Sequence, residues 1–114
     1  MTPLAEVRAQ FHEEVPIALV HGEIDASNVG EVGVALRQMV SNRSARLIVD
    51  LTATTYMDSA AINLMFSLGD ELRARQLTLL LVIPPGTSIA RMLTITGLDR
   101  VYPTYAALAD AISA

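Results

Sequence analysis

The chain has 114 residues, of which 52% are hydrophobic and 18% charged, a balance that excludes intrinsic disorder. Its length fits a single domain, residues 1–114, able to bury roughly two-thirds of its unfolded surface around one core. Eight basic residues, all arginine, stand against twelve acidic ones for a net charge of −4, so the basic footprint that nucleic acid or an anionic membrane requires is missing.

The elements are read in chain order. Ala5 to Phe11 and Pro16 to His21 alternate as strands around a polar turn at His12-Glu13-Glu14. Gly22-Glu23-Ile24-Asp25-Ala26-Ser27 then breaks the second strand. From Asn28 the apolar spacing is helical, through Val29, Val32, Leu36, Met39 and Val40. Asn28 with Glu31 reads as a capping box. Gly30 and Gly33 weaken that helix, each by roughly 1 kcal/mol relative to Ala. Leu47 to Leu51 is a near-continuous apolar run, as a strand covered on both faces would be. A loop over residues 52–55 leads to a second helix with Ile62, Met65, Phe66, Gly69 and Leu72 on one stripe, capped by Asp58 or Ser59. Leu77 to Ile83 is a further buried strand. Thr87 or Ser88 caps a third helix that ends at Gly97, and a last helix starts near Thr104. The order β-β-α-β-α-β-α-α predicts an α/β fold, a mixed sheet of four to five strands flanked by about four helices. The first strand is expected at an edge, antiparallel to the second.

Several chemistries are excluded or weakened. With no cysteine there is no disulfide framework, thiolate nucleophile or Cys-based metal site. No phosphate-binding glycine loop is present, and the chain has no lysine to serve one. His12 and His21, the only histidines, lack metal-ligand spacing. Ser59, His21 and Asp58 or Asp25 could be counted as a triad, but G-x-S-x-G is missing around Ser59. No catalytic residue, metal or cofactor is expected. The opening residues lack the charged and apolar regions of a secretory leader. The longest apolar run, Leu79 to Pro85, is too short to span a bilayer. The expectation is a cytoplasmic protein with no direct contact to nucleic acid and no membrane insertion.

Two segments carry the functional signal. Ser59, at the first turn of a helix, is either a cap or a phosphoacceptor. The free amides there favour an added phosphate, and Asp58 beside it opposes one. Gly22-Glu23-Ile24-Asp25 is either a strand-to-helix connection or an exposed recognition loop. If the second and third strands run parallel, Asp25 and Ser59 share the rim at their carboxyl ends.

In this order and spacing four segments resemble the STAS domain family, specifically bacterial anti-sigma factor antagonists. They are Gly22-Glu23-Ile24-Asp25, Leu47-Ile48-Val49-Asp50-Leu51, Tyr56-Met57-Asp58-Ser59, and residues 93–103 from Leu93-Thr94-Ile95 to Tyr102-Pro103. The resemblance runs from about Val15 to the last residue. It implies a sheet flanked by helices and a non-enzymatic partner switch. The unphosphorylated form binds an anti-sigma factor, commonly a serine kinase, and so frees a sigma factor. Phosphorylation by that kinase dissolves the complex, and a phosphatase resets it. The matching acceptor is Ser59, and the implied partner-binding residues are Gly22, Glu23, Asp25, Asp58, Ser59 and Ala60. The chain departs from the family's Asp-Ser-Ser-Gly or Asp-Ser-Ala-Gly in placing Ala60-Ala61 after Ser59. Alanine for glycine favours the helix by roughly 0.8–1 kcal/mol. A STAS subunit of a membrane transport or sensory complex is the alternative, and a weak homodimer is also compatible with the sequence.

Overall fold

The computed structural model describes residues 3–114. β1 (Ala5–His12) and β2 (Val15–Ile24) form an antiparallel hairpin around Glu13-Glu14. β1 is the edge of the sheet, as predicted, and the strand order from it is β1, β2, β3 (Arg46–Asp50), β5 (Thr78–Val82) and β6 (Thr104–Tyr105). β3 (Arg46–Asp50) and β5 (Thr78–Val82) continue the sheet in parallel with β2, both apolar enough to be buried on their two faces. β4 (Thr54–Met57) also pairs with β2 in parallel, alongside its last residues.

Five helices complete the described residues. They are α1 (Val29–Gln38), α2 (Ser59–Ala74), α3 (Ser88–Thr96), α4 (Leu98–Val101) and α5 (Leu108–Ile112). The main core lies on one sheet face, where Ala18, Val20, Val49 and Leu81 meet Leu36 of α1, Met65 and Leu68 of α2, and Leu93 of α3. The other face carries a smaller cluster, Val15, Ile17, Ile48, Leu80 and Val82, which packs against Ala111 of α5. Within α2, a β-carbon at Gly69 would overlap the Tyr102 ring, so the mid-helix glycine lets Tyr102 lie against the helix.

The α/β class and the stripes of α1 and α2 are as the sequence predicts, and the parallel β2–β3 pairing meets the condition under which Asp25 and Ser59 share a rim. Four details differ. β2 does not break at Gly22 but runs to Ile24. Gly22 takes φ +97°, and the β2–β4 register shifts between it and Glu23. That irregularity lets the strand bend without ending. β4 replaces the predicted loop because its backbone completes the ladder of β2. The last segment opens with a two-residue strand, β6 (Thr104–Tyr105), and its helix starts only at Leu108. Finally, Asn28 precedes α1, yet its side chain makes no capping bond to that helix and turns back to the preceding loop.

Candidate functional site

The rim at the carboxyl ends of β2 and β4 joins the two segments singled out in the sequence. Ile24 pairs with Met57, and both side chains are buried, so the residues that follow each of them emerge side by side. Asp58 ties them together. One carboxylate oxygen accepts the Ala61 amide at 3.0 Å, capping α2, and the other accepts the Ala26 amide at 3.0 Å. One side chain therefore satisfies an orphan amide of the helix and fixes the loop after β2.

That loop is held from within. The Ser27 hydroxyl and amide both donate to Asp25 Oδ1, at 2.5 and 2.8 Å. These bonds, the hydroxyl first, hold the Asp25 carboxyl below its ordinary range. Asn28 Oδ1 accepts the Asp25 amide at 2.9 Å, and Asn28 Nδ2 donates to the Glu23 carbonyl at 2.8 Å. On the far side, the Glu23 amide donates to the Leu4 carbonyl at 2.9 Å. A β-carbon on Gly22 would overlap that same carbonyl oxygen, so only glycine permits this approach of β1 to the loop.

The cap question at Ser59 resolves toward Asp58. Ser59 is the first residue of α2 and is exposed, and among the described residues its hydroxyl has no hydrogen-bond partner. A hydroxyl so placed is accessible and lies at the positive end of a 16-residue helix.

The six predicted residues thus fall on one rim with distinct parts. Glu23 and Ser59 are exposed, whereas Asp25, Asp58 and Ala60 are half-buried. Gly22 is half-buried under Leu4 and acts by shaping the loop. Three further residues belong here. Ser27 and Asn28 build the loop, a role the spacing Asp25-Ala26-Ser27 signals as an Asx-type turn. Tyr56, directly across from Glu23 on β4, is 48% exposed and adds an aromatic surface on the strand that leads to Ser59. The sequence places Tyr56 in the segment leading to Ser59 but does not show its exposure, which follows from its pairing on β4. Among the described residues no cluster of three or more potential metal ligands occurs, and no helix is long and apolar enough to cross a membrane.

The mixed sheet flanked by helices agrees with the comparisons to known proteins. Residues 6–111 match the family model of the STAS domain, and the chain belongs to that family. It is 22% identical over 102 residues to the anti-sigma-F factor antagonist RsfB of Mycobacterium tuberculosis, covering 90% of this chain and 82% of that protein. It is 30% identical over 81 residues to osmosensory protein A of the same organism. That match covers 71% of this chain and 51% of the relative, so the chain spans about half the relative's length. The crystal structure of an anti-sigma factor antagonist from Mycobacterium paratuberculosis superposes with a TM-score of 0.85 at 24% identity, covering 96% of this chain and 92% of that one. This last likeness is one of fold.

Proposed function

We propose that the chain is an anti-sigma factor antagonist, a non-enzymatic partner switch that docks an anti-sigma factor serine kinase on the rim described above. Phosphorylation of Ser59 releases it, a phosphatase resets it, and the setting is the cytoplasm. The observation that carries this reading is the state of Ser59: exposed, leading α2, and unengaged because Asp58 already provides the cap. Glu23, Asp25, Asp58 and Ala60 surround the acceptor as contact residues, and Gly22 holds the loop in place. A phosphate at Ser59 adds nearly two negative charges beside Asp58, on a chain of net charge −4. An interface that buries a neutral hydroxyl would then have to desolvate a dianion. That costs about 2 kcal/mol or more, roughly thirtyfold in affinity.

The test is capture from native lysate with Mg-ATP, followed by mass spectrometry of bait and prey. Phosphate on Ser59 together with a kinase-type anti-sigma factor is the expected outcome. With that partner purified, Ser59→Asp should bind roughly thirtyfold more weakly and Ser59→Ala as tightly as wild type. Undiminished binding by Ser59→Asp rejects the charge mechanism. A second reading, a STAS subunit of a sensory or transport assembly, is favoured by the 30% identity to a protein named osmosensory protein A. An unmodified Ser59 captured with such an assembly would make that reading the leading one.

A further inference from the structure

The outer edge of β1 has a pattern that specifies what can pair with it. The Glu23 amide bonds to the Leu4 carbonyl, one step beyond the Ala5–Gly22 pair that ends the hairpin register. In an antiparallel ladder such exchanging pairs recur every second residue. Glu6, Arg8, Gln10 and His12 therefore spend their backbone groups on β2. The N–H and C=O groups of Ala5, Val7, Ala9 and Phe11 point outward, where no strand among the described residues meets them. Pro16 fits this phase, because it faces Phe11 at a position that makes no ladder bond to β1.

The side chains follow the same alternation. Ala5 and Val7 lean on the main core toward α1. Shallow grooves of about 310 and 530 Å³ flank β1 on that side, the second lined by Phe11 and Met39. Phe11 is 58% exposed. Glu6 and Arg8 lie on the opposite face, paired at 2.9 Å with side chains 55% and 60% exposed. An eight-residue edge with four outward apolar positions and free backbone groups is a template for another strand.

We propose that this strand is β1 of a second copy, added antiparallel about a two-fold axis through Val7. Outward groups must meet outward groups, so a two-fold pairing is centred on a residue and not between two; centring on Glu6 sets Glu6 against itself, centring on Gln10 turns Glu6 toward Glu14, and Val7, Arg8 and Ala9 are left. Centring on Arg8 sets Arg8 against itself. Centring on Ala9 sets Arg8 opposite a glutamine and Glu6 opposite His12, so Arg8 gains no carboxylate, and it runs Ala5 out into the Glu13 turn. Centring on Val7 sets Glu6 opposite Arg8 of the second copy, and Arg8 opposite its Glu6. Unlike charges then face each other twice, with Val7 against Val7 and Ala5 against Ala9. The two intrachain pairs merge into one alternating four-charge cluster. Rotation about this axis keeps α1 of both copies on the same face and sends the two Ser59 rims to opposite ends of a continuous sheet. Both rims stay open, so the dimer presents two docking sites.

The experiment is sedimentation equilibrium up to millimolar protein, with thermal melts as a check on folding. Wild type should show a concentration-dependent monomer–dimer equilibrium. Glu6→Arg and Arg8→Glu should each weaken it by roughly tenfold or more, since each change turns two attractive pairs repulsive. Glu6→Arg/Arg8→Glu together should restore it. Ala9→Pro, which removes an outward amide only, should leave a folded monomer. A wild type that stays monomeric at millimolar concentration overturns the proposal. So does a dimer indifferent to the single charge reversals, or one they weaken and the double reversal fails to rescue.

Discussion

Asp58 is the residue on which the rim depends, because its two oxygens serve two elements at once. Its replacement by Ala removes the cap of α2 and the anchor of the Ala26 amide. A lost cap alone costs about 1 kcal/mol, and the unpinned loop adds to it, so Asp58→Ala should lose about 1–2 kcal/mol in chemical denaturation. Asp58→Asn, which keeps an acceptor for one amide, should lose less. Tyr102 is the second residue whose chemistry is set by its surroundings. Its hydroxyl donates to Asp70 Oδ1 with the Phe66 carbonyl 3.1 Å away, and the Arg73 guanidinium lies 5.2 Å from its ring centre. Burial first, then the bond to the Asp70 carboxylate, pushes its pKa up to about 12. An unfolded tyrosine ionises near pH 10. Between these values the unfolded chain releases a proton that the folded chain keeps. The stability from this group is therefore complete below about pH 10 and is lost as pH rises toward about 12. Ultraviolet titration should find one of the three tyrosines ionising late, and Tyr102→Phe should remove that late step.

At the scale of elements, α5 is the piece most dependent on a single contact. It has five residues and covers the smaller core almost alone. Helices this short are not stable by themselves. Arg46, at the start of β3, donates through one nitrogen to the carbonyls of Ala111, Ile112 and Ala114, at 3.2, 3.1 and 2.7 Å. A cation at a helix C-terminus satisfies orphan carbonyls and complements the dipole. Arg46→Met should destabilise the fold by about 1–2 kcal/mol. In hydrogen exchange it should open the α5 amides before those of β2, β3 and β5. The reverse order, with the central strands exposed first, would mean that α5 is held by its apolar face and not by Arg46. The same contrast explains what was legible in the sequence. β2, β3, β5 and α2 bury enough apolar side chains to print their period on the chain. β4 and β6, of four and two residues, are polar and exist because neighbouring strands leave backbone groups to pair. The predicted capping box at Asn28 failed because the Asp25 amide and the Glu23 carbonyl compete for that side chain, and both lie before the helix. Both halves of the rim were legible as segments. Their junction was not, because the Asp58–Ala26 bond spans 32 residues and no local pattern encodes it.

For the molecule as a whole, the question is whether a charge at Ser59 acts on the fold or only on its surface. The geometry favours the surface. Ser59 makes no side-chain hydrogen bond to any described residue, so adding charge breaks none. The helix N-terminus favours an anion by roughly 0.3–1 kcal/mol, and the neighbouring Asp58 carboxylate opposes one by a similar amount. The two nearly cancel. The loop beside it is secured by bonds that do not involve Ser59, among Asp25, Ser27, Asn28 and Asp58. Ser59→Asp should accordingly unfold within about 0.5 kcal/mol of wild type. Its amide chemical-shift changes should stay within the Gly22–Asn28 loop and the first turn of α2, while affinity for the proposed kinase partner falls. A switch of that kind reads charge without a conformational change: release comes from the cost of burying the new charge, and the sheet behind it stays as it was. Shift changes spreading through β2, β3 and β5, with a lowered melting temperature, would instead make release a consequence of loosening the fold.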